Sequence, residues 1–165
     1  MAAPTTTFDN NTPSQAIRYF VGLKVPNPVN QSLHMTLCYV GECDDDRLIR
    51  IKNAMNKLKP HLPIHLKFTE KDLFGPDNDI PVQKVKIVDY GHKIVPTEES
   101  FLNFYKEFYV HQDGLPDELK KAPNYHITIK NAGWWVATAD GFLGEEIFLK
   151  QIGNGIIHAV KDDSN

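Results

Sequence analysis

The chain reads as an α+β domain built on two small antiparallel sheets. Short segments in which apolar and polar residues alternate recur along it, as half-buried strands require. Two longer segments carry apolar residues at helical spacing instead. The segments also fall in an order, β, β, α, β, β, α, β, β, β, whose halves are loose versions of each other. At 165 residues, 41% apolar and 24% charged, this is one soluble globular domain with a core of ordinary size.

Met1 to Ser14, rich in Thr, Asn and Pro, is expected to be a flexible tail, leaving a single domain over 15–165. Ile17 to Val25 alternates as a strand and is closed by Pro26 and Pro28. Leu33 to Val40 is the next strand. Asp44, Asp45 and Asp46 supply a helix cap and an acidic first turn rather than a metal site. The helix that follows runs to about Lys59, with Leu48, Ile51, Met55 and Leu58 as its apolar stripe, and Pro60 and Pro63 stop it. Ile64, Leu66 and Phe68 mark a strand with one wet face, followed by a loop containing Leu73-Phe74-Gly75-Pro76. Val82 to Val88 is a strand and Tyr90-Gly91 a turn. Thr97 is the expected cap of a second helix that buries Phe101, Phe104, Tyr105 and Phe108 and ends at Gly114-Leu115-Pro116. Tyr125 to Ile129 and Glu146 to Ile152 are strands. Gly153-Asn154-Gly155 predicts a hairpin into Ile156 to Val160.

One pattern occurs twice. Leu33-His34-Met35-Thr36-Leu37 reaches Gly41, and Tyr125-His126-Ile127-Thr128-Ile129 reaches Gly133. A shuffled chain of this composition would hold roughly 0.03 such apolar-flanked His-x-Thr triplets. On a strand, residues i and i+2 leave the same face, so each motif presents an imidazole beside a hydroxyl. Two imidazoles facing one cleft suit general acid–base chemistry on a phosphodiester: one takes a proton from the attacking oxygen, the other gives one to the departing oxygen. The Thr36 and Thr128 hydroxyls can donate to a non-bridging phosphate oxygen as negative charge builds up. The arrangement calls for no metal and no cofactor.

Composition narrows the partners. A net charge of -3 and a pI near 6.1 disfavour a surface built to grip long duplex nucleic acid, leaving a nucleotide or short oligonucleotide as the expected ligand. Cys38 and Cys43 are expected to be reduced, since pairing them would distort the first motif strand; this suits the cytoplasm. The polar start of the chain does not read as a signal peptide, and no apolar run reaches the length of a membrane span. Zinc is disfavoured by the lack of Cys-x-x-Cys or His-x-x-x-His pairs. A monomer is the expected state.

The paired apolar-His-apolar-Thr-apolar strands resemble the signature motifs of the 2H (two-histidine) phosphoesterases. That superfamily includes RNA 2′,3′-cyclic phosphodiesterases, LigT-type 2′-5′ RNA ligases, 2′-5′ oligoadenylate phosphodiesterases and phage enzymes that cut cyclic nucleotide signals. The resemblance spans Ile17 to about Val160. It implies a bilobed, pseudo-twofold LigT-like fold, two antiparallel sheets around a central groove with helices outside. It also implies that His34, Thr36, His126 and Thr128 act there without metal. By the same analogy His126 is the base and His34 the acid when a cyclic phosphate is hydrolysed. Where some members carry Arg soon after the second motif, this chain has Lys130 and Asn131, which weighs against ligase-type or long-RNA function.

Tyr19, Tyr39, Phe74, Lys130, Trp134 and Trp135 are the candidate substrate-binding residues, the aromatics for stacking on a base and Lys130 for neutralising phosphate. If Trp134 and Trp135 lie on a strand, one meets the ligand and the other packs. His61, His92 and His111 are expected at the surface, and His65 and His158 on strands without a catalytic part. The rival reading is a non-catalytic module that sequesters a nucleotide or RNA end in the same groove.

Overall fold

The computed structural model describes residues 17–28, 30–91, 94–129 and 133–152, without the side chains of Gly133 and Trp134. Among them are strands β1 (Arg18–Lys24), β2 (His34–Glu42), β3 (Ile64–Phe74), β4 (Ile80–Val88), β5 (His126–Thr128), β6 (Gly141–Gly144) and β7 (Ile147–Gln151). The helices are α1 (Asp45–Leu58), α2 (Thr97–Phe108) and α3 (Gly133–Thr138). The expected tail and the hairpin into Ile156 to Val160 lie outside the described residues.

The α+β class is as expected, but the described strands hydrogen-bond into one antiparallel sheet, in the order β6-β3-β4-β5-β2-β1-β7, rather than into two. Its middle is thin. β5 pairs with β4 at three positions, Val82 with Thr128, Gln83 with Ile127 and Lys84 with His126, but with β2 only at Met35 and Ile127. Among the described residues a single bridge therefore joins β7-β1-β2 to β5-β4-β3-β6.

One face of the sheet carries α1 and α2. Ile51, Met55 and Leu58 of α1 and Phe101, Phe104 and Phe108 of α2 form one buried cluster with Val21, Leu23, Met35, Leu37 and Ile127. Asp44 caps α1, its carboxylate accepting from the Arg47 amide at 2.8 Å. The Arg47 guanidinium then donates to the carbonyls of Val40 (3.3 Å) and Phe108 (2.9 Å), tying the first motif strand to the end of α2.

Helix α2 departs from expectation at both ends. Thr97 is its first residue, and the capping acceptor is Asp89, just beyond β4, whose carboxylate takes the amides of Thr97 (2.9 Å) and Glu98 (3.2 Å). The helix ends at Phe108, before Gly114, and a 3-10 turn at Val110–Gln112 follows. Asp89→Ala is expected to lower stability by about 1 kcal/mol through the lost cap; urea unfolding of the exposed-site variant reads this, and an unchanged midpoint would show the cap to be idle.

Further differences follow from pairing that local pattern does not encode. Leu73 and Phe74 belong to β3, which runs on because Leu73 and Phe74 pair with Pro81 and Ile80 of β4. Trp134 and Trp135, considered above as strand residues, fall in a short helix, Gly133–Thr138, and Gly141–Gly144 adds β6 against β3. At Gly141 a Cβ would lie within 2.0 Å of the Leu66 carbonyl oxygen, so only glycine permits that close strand contact.

Candidate active site

Met35 and Ile127 face each other across the seam and both point into the helix-side core. Side chains alternate along a strand, so His34, Thr36, His126 and Thr128 leave by the other face. Counting one residue either way from the bridge sets His34 across from Thr128 and Thr36 across from His126. The two motifs thus meet at the seam, each imidazole opposite the other motif's hydroxyl.

Both imidazoles are held in the same way. His34 Nδ1 lies 3.1 Å from the Ser32 carbonyl, and His126 Nδ1 lies 2.9 Å from the Asn124 carbonyl. A carbonyl oxygen only accepts, so each Nδ1 carries the proton and donates it. In the neutral ring Nε2 is then the basic nitrogen, and in the imidazolium it is the second proton carrier. This shared anchor, two residues upstream of each His, is not a motif that sequence reading had singled out.

The surroundings of the two rings differ. His34 is 6% exposed, with Phe20 at 5.0 Å and Phe148 at 6.0 Å between ring centroids. Phe148 leans in because Gly22 lies beneath it; a Cβ there would come within 2.7 Å of the Phe148 ring. His126 is half-buried, with Phe74 against it at 4.6 Å. Burial lowers His126 below the usual histidine range, the Asn124 carbonyl pulls it up, and the Lys84 ammonium lowers it again. Lys84 sits opposite His126 in the β4–β5 register and pairs with Glu70 at 3.5 Å.

Past the Met35–Ile127 bridge the strands splay apart. Thr36, Leu37, Cys38 and Tyr39 on one side and Pro123, Asn124, Tyr125 and His126 on the other line a wedge-shaped cleft of about 370 Å³. Pro123 has no amide hydrogen with which to continue the ladder. The β3–β4 turn closes the cleft with Phe74, Gly75 and Pro76, and the end of α2 supplies Tyr105 and Tyr109.

The sequence-predicted candidates fall into three groups. Thr36, His126, Thr128, Tyr39 and Phe74 line the cleft, whereas His34 is not on its lining and is buried against Phe20 and Phe148. Tyr39 shares this face because of a bulge: Gly22 pairs with Thr36 and Val21 with Cys38, so Leu37 is an extra residue that shifts the alternation by one. Tyr19 and Trp135 do not meet the cleft. Tyr19 packs against the main core, and Trp135, on helix α3 rather than a strand, stands edge-on to Phe68 at 5.8 Å. Lys130 and the Trp134 side chain lie outside the described residues.

Among the other histidines, His111 and His65 are exposed, His61 is half-buried against Thr97, and His92 and His158 are not among the described residues. Cys38 and Cys43 are both free thiols. Phe20, Phe148, Lys84 and Tyr109 were not singled out from sequence, and Tyr105 and Tyr125 were read only as helix and strand residues, not as part of a site. Their relevance comes from register and from the splayed strands, and no short motif signals it.

Fold and site together define an α+β protein with paired His-x-Thr strands at the seam of one antiparallel sheet. The family model described as LigT like Phosphoesterase matches residues 14–81, less than half of the chain but including the first motif, and supports its membership of the LigT-like 2H phosphoesterase superfamily. That family suggests phosphodiester hydrolysis in general. No curated protein and no solved structure matches the chain. No described helix is long and apolar enough to cross a membrane.

Proposed function

We propose that this protein is a metal-independent phosphodiesterase that hydrolyses a small nucleotide or RNA-end substrate bearing a 2′,3′-cyclic phosphate, a 2′-5′ linkage or a cyclic-oligonucleotide linkage. The observation that supports the proposal is the matched Nδ1–carbonyl anchor, which gives His34 and His126 the same tautomer, with Nε2 as the basic nitrogen of each ring and a threonine two residues on in each motif.

In this reading His126 Nε2 takes a proton from water as the water oxygen bonds to phosphorus. The bond from phosphorus to the leaving oxygen breaks, and His34, protonated at Nε2, gives that oxygen its proton. The Thr36 and Thr128 hydroxyls donate to the non-bridging oxygens. The lowered proton affinity of His126 favours its base form near neutral pH. The net charge of -3 fits a short substrate rather than a long duplex.

The test is turnover on a panel of the three linkages with and without EDTA, with product analysis, repeated for His34→Ala and His126→Ala. Turnover that survives EDTA and is lost in both variants is expected. Loss on adding EDTA, or unchanged turnover in both variants, rejects the proposal, and a ligand recovered uncleaved after long incubation points to a sequestering module.

The Lys84 contact adds a pH signature. If His126 is the base, the acid limb of kcat/KM lies below the usual histidine range, because the folded protein holds that proton less tightly. Lys84→Met removes the like charge, strengthens proton binding at His126 and moves the limb to higher pH. An unshifted limb would assign the base to another group.

A further inference from the structure

Negative charge gathering at phosphorus needs a counter-charge, and the cleft itself supplies little. Apart from His126, no residue on the described lining is of an acidic or basic type, and His126 is neutral while it acts as base. A cation stands one strand away, on β4. Val82 lines the cleft opposite Thr128, and two residues on, Lys84 faces His126 from the same side of the sheet. Directly opposed residues on antiparallel strands have Cβ atoms about 4.5–5.5 Å apart, a gap that the four-carbon stem of lysine spans. After burial and the Asn124 carbonyl, the Lys84 ammonium is the third influence on the proton affinity of His126, so its charge is felt at the ring.

The next strand is shaped to hold that ammonium. β3 sets two residues, Thr69 and Glu70, against the single residue Lys84 of β4, and a bulge of this kind re-aims side chains beside a site. Gln83 is buried and donates from Nε2 to the Glu70 carbonyl at 3.1 Å, which pins the bulge. The Glu70 carboxylate then reaches Lys84 Nζ at 3.5 Å, with the Glu70 side chain 68% exposed and that of Lys84 26%. So open an ion pair is worth little, and an arriving anion can take the place of the carboxylate. A phosphoryl oxygen offers the ammonium the same charge-assisted hydrogen bond.

We propose that Lys84 is a further substrate-binding residue, donating to a non-bridging oxygen of the phosphate at His126, and that Glu70 is a positioning residue that holds the ammonium until the phosphate displaces it. The inference deepens the phosphodiesterase reading, from which it takes only the place of the phosphate. Lys86 provides the control. It lies on the same face opposite Lys67, about 7 Å farther along the strand, and carries the same charge without the contact.

The experiment titrates inorganic phosphate at fixed ionic strength and follows the His126 ring signals by NMR, so that binding is read without turnover. Lys84→Met is expected to weaken phosphate binding about 10- to 100-fold, the worth of one hydrogen bond to a charged group, and Lys84→Arg to keep most of the affinity. Glu70→Gln removes the competing carboxylate and should tighten binding about 2- to 5-fold, a gain that loss of a merely structural pair would not produce. Lys86→Met should change the affinity little. Native His126 signals that ignore phosphate overturn the proposal. So does unchanged affinity in folded Lys84→Met, or an equal loss in Lys84→Met and Lys86→Met, which marks a diffuse field rather than a contact. Unchanged or weaker binding in Glu70→Gln overturns the displacement of the carboxylate. Phosphate binding that depends on Lys84, with no turnover on any linkage, leaves the contact standing and removes the phosphodiesterase reading. Turnover that needs both histidines, with phosphate affinity indifferent to Lys84, does the reverse.

Discussion

His126→Asn is expected to lower kcat/KM by about 10²–10⁴-fold, the usual contribution of a positioned general acid or base, with little change in the unfolding midpoint. The ring is half-buried at the cleft wall rather than in the core, so its loss removes chemistry more than packing. His34→Asn should cost a similar factor in rate but more stability, since that ring is enclosed by Phe20 and Phe148. If the two imidazoles act in the same turnover, the double variant is no slower than the worse single variant by anything near the product of the two factors. A variant pair whose losses multiply fully, or a His126→Asn protein with native kcat/KM, would contradict the shared site.

Ile127→Ala is expected to have the largest structural effect. Ile127 is fully buried and faces Met35 at the one bridge between β2 and β5 among the described residues. Truncation there removes buried methylenes and leaves a cavity, costing about 2–5 kcal/mol. For a domain of this size that lowers the melting temperature by several degrees, at roughly 2–4 °C per kcal/mol. Activity should fall with it, because His126 and Thr128 flank Ile127 and take their positions from the same bridge. Ile127→Val keeps most of the side chain, should cost about 0.5–1.5 kcal/mol and should retain turnover. Thermal unfolding with parallel assays decides the matter: an Ile127→Ala protein as stable as the native one would mean that the seam is held from elsewhere.

Strands and helices with a strong local period were legible in the sequence. The His-x-Thr strands, the Asp44-capped α1 and the phenylalanine side of α2 all declare themselves within about a dozen residues. What local pattern does not carry is pairing between distant segments. The meeting of Met35 with Ile127, which turns two expected sheets into one, is set by long-range contact. The extra residue at Leu37, which brings Tyr39 round to the cleft face, is visible only once β1 is laid beside β2. Trp134-Trp135 looks like a strand because tryptophan favours strands, yet the six residues Gly133–Thr138 form a helix too short to show a period. Asp89 caps α2 from eight residues upstream of Thr97, farther than any local capping rule extends. The catalytic candidates were therefore easier to name than their surroundings.

Each imidazole's anchor is a main-chain carbonyl, at Ser32 and at Asn124. A peptide oxygen survives any exchange of the side chain beside it. Positions 32 and 124 are consequently free to drift over generations while both rings keep one tautomer, whereas inserting or deleting a single residue between either carbonyl and its histidine would disarm the pair at once.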